Sequence, residues 1–251
     1  MNTNTPIIRR PEKCASEEIK DVEIKVTIRE NQELLAARAL NLSEAKTQRR
    51  KIYFFDTPSL ALFEAGVILR ARIKQDDPDD STVKIRPIDP SRIAQAWKDM
   101  DNFKLEADWV GERKVCSGSL DARQKSGEIE EVAAGRRELR KLFSAEQEQF
   151  LAAYTDTRID FDSLVVLGPV ETLRWENRYN DFDHEVCIEE WRLPTTGTDL
   201  IEVSVKVPTR DAGQVQEDFR NWLTSRKLNS EGEQETKTRV ALTELASGLR
   251  V

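Results

Sequence analysis

The feature that most constrains this chain is an alternation of charged and apolar residues that returns on segment after segment. From Lys20 to Ile28, Val22, Ile24, Val26 and Ile28 are apolar, and Asp21, Glu23, Lys25 and Thr27 between them are polar. A period of two is the signature of a β-strand, whose successive side chains point to opposite faces. Elsewhere the polar positions are again mostly charges: Arg70, Arg72 and Lys74; Lys84 and Arg86; Lys104, Glu106 and Asp108; Arg174, Glu176 and Arg178; Glu185 and Glu189; Glu202, Ser204 and Lys206. The residues between them, such as Leu69, Ala71 and Ile73 or Val203, Val205 and Val207, are apolar. Two architectures satisfy this pattern. One is an antiparallel sheet with a solvated charged face and an apolar face under helices. The other is a closed sheet whose charged face lines a cavity and whose apolar face is covered from outside. Charge types are segregated by strand, and arginines at i and i+2 aim two guanidinium forks at one place. That arrangement suits an oligophosphate and favours the closed form.

The remaining segments supply helices and turns. Residues 31–46 have helical spacing. Residues 50–56 form a strand ending at Thr57-Pro58-Ser59, and 59–65 a short helical turn. Residues 67–74 and 82–86 read as a hairpin whose acidic turn, 76–80, is expected in solvent. Residues 87–101 are irregular or briefly helical, and 102–110 alternate as a strand. The charged, Ala-rich stretch 111–153 reads as an insertion, helical from about 127 to 154 and broken near Ser144, which with Gln147 forms a capping box. Strands follow at 156–167, 170–179, 184–193 and 200–207, then helices at 210–227, with Thr209 as N-cap, and at 236–247. The expected organisation is a polar tail (1–17) and one domain (18–251).

Composition narrows the chemistry. Thirty-nine Lys and Arg against 46 Asp and Glu give a net charge of −7, which argues against a nucleic-acid binder. No stretch is apolar over the roughly 18–20 residues that span a bilayer, and the first residues have no apolar leader core, so no membrane partner and a cytoplasmic location are expected. One histidine, His184, and three scattered cysteines argue against zinc sites and His-dependent triads. A metal would rest on carboxylates, which favours Mg²⁺ or Mn²⁺. His184 is expected in a turn, the cysteines as small buried side chains, and the five tryptophans in packing.

At these strands the sequence resembles the CYTH superfamily, the triphosphate tunnel metalloenzymes. Asp21-Val22-Glu23-Ile24-Lys25 is similar to the opening E-x-E-x-K strand, with Asp for the first Glu. Tyr53-Phe54-Phe55-Asp56-Thr57 resembles Y-F-D-T. Leu69-Arg70-Ala71-Arg72 and Thr82-Val83-Lys84-Ile85-Arg86 resemble L-R-x-R and T-x-K-x-R. Glu202-Val203-Ser204 stands where the family has a second E-x-E, and Thr236-Lys237-Thr238-Arg239 resembles its closing basic motif. The resemblance covers roughly residues 20–245. It implies an α+β fold: a closed antiparallel β-barrel of about eight strands, forming a tunnel, with covering helices. It implies a small-molecule triphosphate substrate and Mg²⁺ or Mn²⁺. Residue by residue, it implies Asp21, Glu23, Glu189 and Glu202 as metal ligands. Lys25, Arg70, Arg72, Lys84, Arg86, Arg174, Arg178 and Lys237 would hold phosphates. Glu23 and Lys25 would also serve catalysis, with Glu106 as the candidate base. Metal-dependent hydrolysis of an inorganic or organic triphosphate, cyclisation of ATP, and triphosphate or polyphosphate binding without turnover all remain open. Ser204 motivates the last.

Overall fold

A computed structural model describes residues 19–28, 32–43, 47–194, 197, 199–228 and 236–249. The expected tail 1–17 and Cys14 lie outside the described residues. Nine strands close a barrel: β1 (Asp21–Ile28), β2 (Gln48–Asp56), β3 (Val67–Lys74), β4 (Asp80–Ile85), β5 (Phe103–Val110), β6 (Arg113–Arg123), β7 (Val165–Tyr179), β8 (Phe182–Arg192) and β9 (Asp199–Pro208). Around the barrel they run β1-β5-β6-β4-β3-β2-β7-β8-β9, and β9 pairs back to β1. The helices are α1 (Glu33–Ala39), α2 (Ala61–Glu64), α3 (Gln95–Lys98), α4 (Glu128–Ala133), α5 (Ala145–Tyr154), α6 (Ala212–Ser225) and α7 (Lys237–Gly248).

The expected closed barrel with covering helices is present, with nine strands rather than about eight. An odd number of strands cannot close with every neighbour antiparallel. The one parallel pair is β1 with β5, in the register Val22↔Ala107 to Lys25↔Val110.

Most of the apolar core lies outside the barrel wall. The outward residues Val22, Ile24, Leu69, Ala71, Val83, Leu120, Ile188, Val203 and Val205 are buried, in one cluster with Ile129, Phe150, Val215 and Phe219 from α4, α5 and α6. Burial of this layer drives the charged faces inward, because hydrophobic stabilisation scales with apolar area removed from water. A second cluster closes one end. Ile52, Phe54 and Trp191 from the wall meet Ala241, Leu242 and Leu245 of α7. Along β2 the luminal residues change from Arg50 to Ile52 and Phe54, and along β3 from Arg72 and Arg70 to Ile68. The lumen is therefore polar toward one mouth and apolar where α7 stoppers the other.

Several sequence expectations change here. Residues 113–123 of the expected insertion are β6, a barrel strand hidden in sequence by its small residues Ser117, Gly118 and Ser119. Helix begins at Glu128, close to the expected 127. Its break at Ser144 is the expected capping box, with Ser144 Oγ accepting from Gln147 N at 3.2 Å. Gln147, fully buried, donates to Leu120 O at 2.9 Å and Ser81 O at 3.1 Å, so it fastens α5 to the wall. The strands expected at 156–167 and 170–179 are one strand, β7, from Val165. Thr209 does not cap α6; its hydroxyl donates to Ile19 O at 2.6 Å, and Asp211 holds the cap position. His184 lies within β8 against Phe182, not in a turn.

Candidate functional site

The lumen is a cavity of about 550 Å³, within the range of small-ligand sites. Eleven basic residues and seven acidic ones line it, a surplus of four positive charges in a chain whose net charge is −7. Two further carboxylates, Asp80 and Asp108, are buried behind the basic side chains and reduce the surplus to two. Such a lumen is a trap for a compact polyanion.

Each wall is built by strand register. On β3 and β4, Arg70 lies opposite Thr82 and Arg72 opposite Asp80. Asp80 takes Arg72 in a two-pronged bond, 2.7 Å from Nε and 2.9 Å from Nη2, and also pairs with Lys74. The acidic turn is thus only half solvated: Asp76 and Asp77 are exposed, but Asp79 and Asp80 are buried. Asp79 accepts from Lys74 N at 3.0 Å and closes the hairpin. At the other end of this hairpin, Gly66 has φ +82° and accepts from Arg86 N at 2.8 Å. A Cβ there would approach Arg86 O to 2.4 Å, so only glycine permits the contact that sets Arg86. Asp56 ends β2 by capping α2, accepting from Leu62 N and Phe63 N, both at 2.9 Å.

Asp108, 2% exposed, is the electrostatic centre of the opposite wall. Lys25 Nζ lies 2.7 Å away, Arg86 Nη1 3.4 Å and Lys84 Nζ 3.5 Å. Burial would raise its pKa, but Lys25, Lys84 and Arg86 prevail and hold it well below the carboxylate range. Lys25, the nearest cation, is held well above the ordinary lysine value against its own burial by Asp108 and Glu23. For Lys84, farther from that carboxylate, burial prevails and lowers the pKa.

Arg70 is the exception in this lumen. Its Nε is buried without a hydrogen-bond partner, and no ion pair reaches its guanidinium among the described residues. Burial, followed by repulsion from Arg72, lowers its pKa to about 10. The other luminal arginines, Arg50, Arg72, Arg86 and Arg174, each have a carboxylate partner.

On the remaining wall, Glu189 of β8 faces Glu202 of β9. Glu189 accepts from Arg174 Nη1 at 3.0 Å and from Lys237 Nζ, and Lys237 Nζ also lies 2.8 Å from Glu202. Burial notwithstanding, Lys237 and Arg174 hold the Glu189 carboxyl far below its usual range. Glu23 pairs with Lys25 at 3.0 Å and accepts from Ser204 Oγ at 3.0 Å. Glu106 is less committed, with Lys206 at 3.9 Å and Lys84 at 4.0 Å.

Of the residues named from sequence, Glu23, Lys25, Arg70, Arg72, Lys84, Arg86, Glu106, Arg174, Glu189, Glu202 and Lys237 all line the lumen. Two do not. Asp21 is exposed beside Lys20 at the rim, and Arg178, 73% exposed, pairs with Glu185 at the mouth without itself lining the cavity. Among the described residues no three His, Cys, Asp or Glu side chains converge on a point that could hold a metal ion. The expected ligands Glu189 and Glu202 are instead satisfied by Lys237. Sequence reasoning missed Asp108, Asp80, Arg50 and Lys74 as site residues. Asp108 and Lys74 stand in phase with their charged neighbours and could have been found. Arg50 belongs to a strand, Arg49 to Phe55, with no alternation to reveal its face.

No family model matches the chain, and no curated protein does. Solved structures do. A candidate adenylate cyclase from Bacillus halodurans superposes with a TM-score of 0.59 at 15% identity, over 88% of this chain and 96% of that one. HpAC1 from Hippeastrum, a candidate adenylyl cyclase described as having a dominant triphosphatase activity, superposes with a TM-score of 0.60 at 17% identity, over 89% and 95%. At these identities the likeness is one of fold. The chain has the tunnel fold that its strand motifs resemble. Among the described residues no helix is long and apolar enough to cross a membrane.

Proposed function

We propose that this protein binds a triphosphate in its lumen and hydrolyses a phosphoanhydride bond, with inorganic triphosphate or a short polyphosphate as substrate. The observation that carries the reading is Arg70, whose buried Nε has no hydrogen-bond partner and whose guanidinium meets no ion pair among the described residues, between Arg72 and the Lys84–Arg86 strand. An unpaired buried charge is costly, and a phosphate oxygen would relieve it. The triphosphatase activity of the Hippeastrum protein of the same fold supports it.

The charged mouth favours an inorganic substrate over a nucleotide. Lys74, Lys104, Glu106, Glu176, Glu185 and Lys206 surround it, whereas the luminal aromatics Phe54 and Trp191 lie at the stoppered end. Among the described residues of the lumen no ring stands at that mouth for a base entering behind its phosphates to stack on, so cyclisation of ATP ranks below hydrolysis.

In this reading Arg70, Arg72, Lys84, Arg86, Arg174 and Lys25 orient the phosphates and stabilise charge developing on the leaving diphosphate. Water attacks the terminal phosphorus, and the anhydride P–O bond breaks toward the diphosphate. Glu106, the luminal carboxylate least bound by cations, takes the proton of the attacking water. The four carboxylates expected to hold Mg²⁺ or Mn²⁺ do not form a cage as they stand, so no step is assigned to a resident ion. A divalent ion, where bound, would supply counter-charge to the substrate's phosphates. Glu23, fastened to Ser204 and Lys25, positions Lys25 rather than reacting.

The test is phosphate release from inorganic triphosphate, ATP and thiamine triphosphate, each with and without Mg²⁺ or Mn²⁺, by the full chain and by Glu106→Gln and Lys84→Ala. Release fastest from inorganic triphosphate and lost in both variants supports the reading. Binding of triphosphate without release by the full chain would leave a binding protein, the alternative that Ser204 in the second E-x-E position favours.

A further inference from the structure

One charged side chain of the lumen comes from a helix rather than a strand. Lys237 is the first residue of α7 and is only 14% exposed. Its ammonium lies 2.8 Å from Glu202 Oε1, pairs with Glu189 Oε2 and stands 5.0 Å from the Trp191 ring centre. Glu189 and Glu202 are directly opposite in the β8/β9 register. Two carboxylates so placed are half of an oxygen cage, and the ammonium occupies the space between them.

Two further observations fix that arrangement. Lys237 is anchored by a packed helix, since Ala241, Leu242 and Leu245 are buried in the stopper of the barrel. The next luminal position of β9 is Ser204, whose hydroxyl donates to Glu23 at 3.0 Å, so no third carboxylate is available from this strand.

We propose that Lys237 is a built-in cation, holding between Glu189 and Glu202 the place a divalent ion would need, and that this wall is a latent metal site closed by its own chain. A divalent ion and an ammonium cannot share two carboxylates at this range, because like charges a few ångströms apart in a partly buried site repel strongly. Mg²⁺ and Mn²⁺ also give up water reluctantly and want near-octahedral oxygen sets, which two carboxylates already neutralised by a lysine cannot offer. Removing the ammonium should therefore create a metal site where the wild-type chain has none.

Mn²⁺ binding to the full chain, measured by loss of the free-ion electron paramagnetic resonance signal without any phosphate ligand, tests this independently of hydrolysis. Lys237→Met is expected to gain one Mn²⁺ site per chain, at least about tenfold tighter than any site of the wild type. Lys237→Met/Glu202→Gln is expected to lose it. Lys237→Gln, which keeps a polar side chain at the stopper, serves as the second variant should the Met protein fail to melt cooperatively. Wild-type protein that binds one Mn²⁺ as tightly as either folded variant overturns the proposal, as does a folded variant that gains no site. Neither result touches the triphosphatase reading, since no substrate is present.

Discussion

Replacing Asp108 by Asn would test the electrostatics of the lumen most directly. The carboxylate is 2% exposed and is shared by Lys25, Lys84 and Arg86 at 2.7–3.5 Å. Asn keeps the shape and removes the charge, leaving three cations around a neutral amide. Breaking a buried ion pair by neutralising one partner costs about 3–5 kcal/mol. The three cations retain 17%, 18% and 21% side-chain exposure, so water screens part of their repulsion and the lower end applies. For a chain of this size, about 3 kcal/mol corresponds to a fall in Tm of roughly 6–12 °C. The same change removes a carboxylate that competes with any bound polyanion. Tripolyphosphate should then bind more tightly to Asp108→Asn than to wild type, by about tenfold if it recovers 1.4 kcal/mol of the loss. Thermal melts with and without tripolyphosphate, with calorimetric titration, read both effects. A Tm within about 2 °C of wild type, or weaker tripolyphosphate binding, would refute the view that Asp108 is an internal counter-ion in competition with the ligand.

Two other perturbations bear on the same lumen. Arg70→Met deletes a buried charge that has no partner, so the ligand-free protein should gain about 1–3 kcal/mol of stability, while tripolyphosphate affinity drops at least about tenfold; a variant both less stable and unchanged in affinity would contradict the role given to Arg70. Asp108 and Glu189 have native pKa values below their ordinary 3.8 and 4.5, so their contribution is complete above those values and is lost as pH falls toward the native ones. The urea midpoint should hold from pH 7 to about 5 and fall steeply below about 4, less so in Asp108→Asn; a wild-type midpoint flat down to about pH 2 would remove the basis for this assignment.

How much of this was legible in the sequence depended on periodicity. Where charge alternates cleanly, as in Asp21 to Ile28 or Leu69 to Lys74, the face of each residue follows from covalent geometry alone. The charged lumen, the apolar outer layer and most of the lumen-facing residues were therefore readable from order and spacing. Where alternation fails, so does the reading. Arg49 and Arg50 are adjacent and equally basic, and only pairing with β3 and β7 turns Arg50 inward. Glu189 and Glu190 pose the same ambiguity. A one-residue slip would exchange them, and the register Arg174↔Glu189 places Glu189 in the lumen and leaves Glu190 to Arg192 outside. The small residues of β6 carry almost no strand signal of their own; β4 and β5 on either side impose the strand by hydrogen bonding.

What the sequence determined by itself was which residues share a face, because that is a property of each strand. What only the tertiary structure decided was which faces meet across space. Asp108 reaching Lys84, and Lys237 reaching Glu189 and Glu202, join residues 24 and more positions apart. Such contacts exist only once the barrel closes and α7 seats in its end. The charges of this lumen are therefore written locally, but their pairing, and the luminal arginine left without an ion pair among the described residues, are set by closure of the barrel.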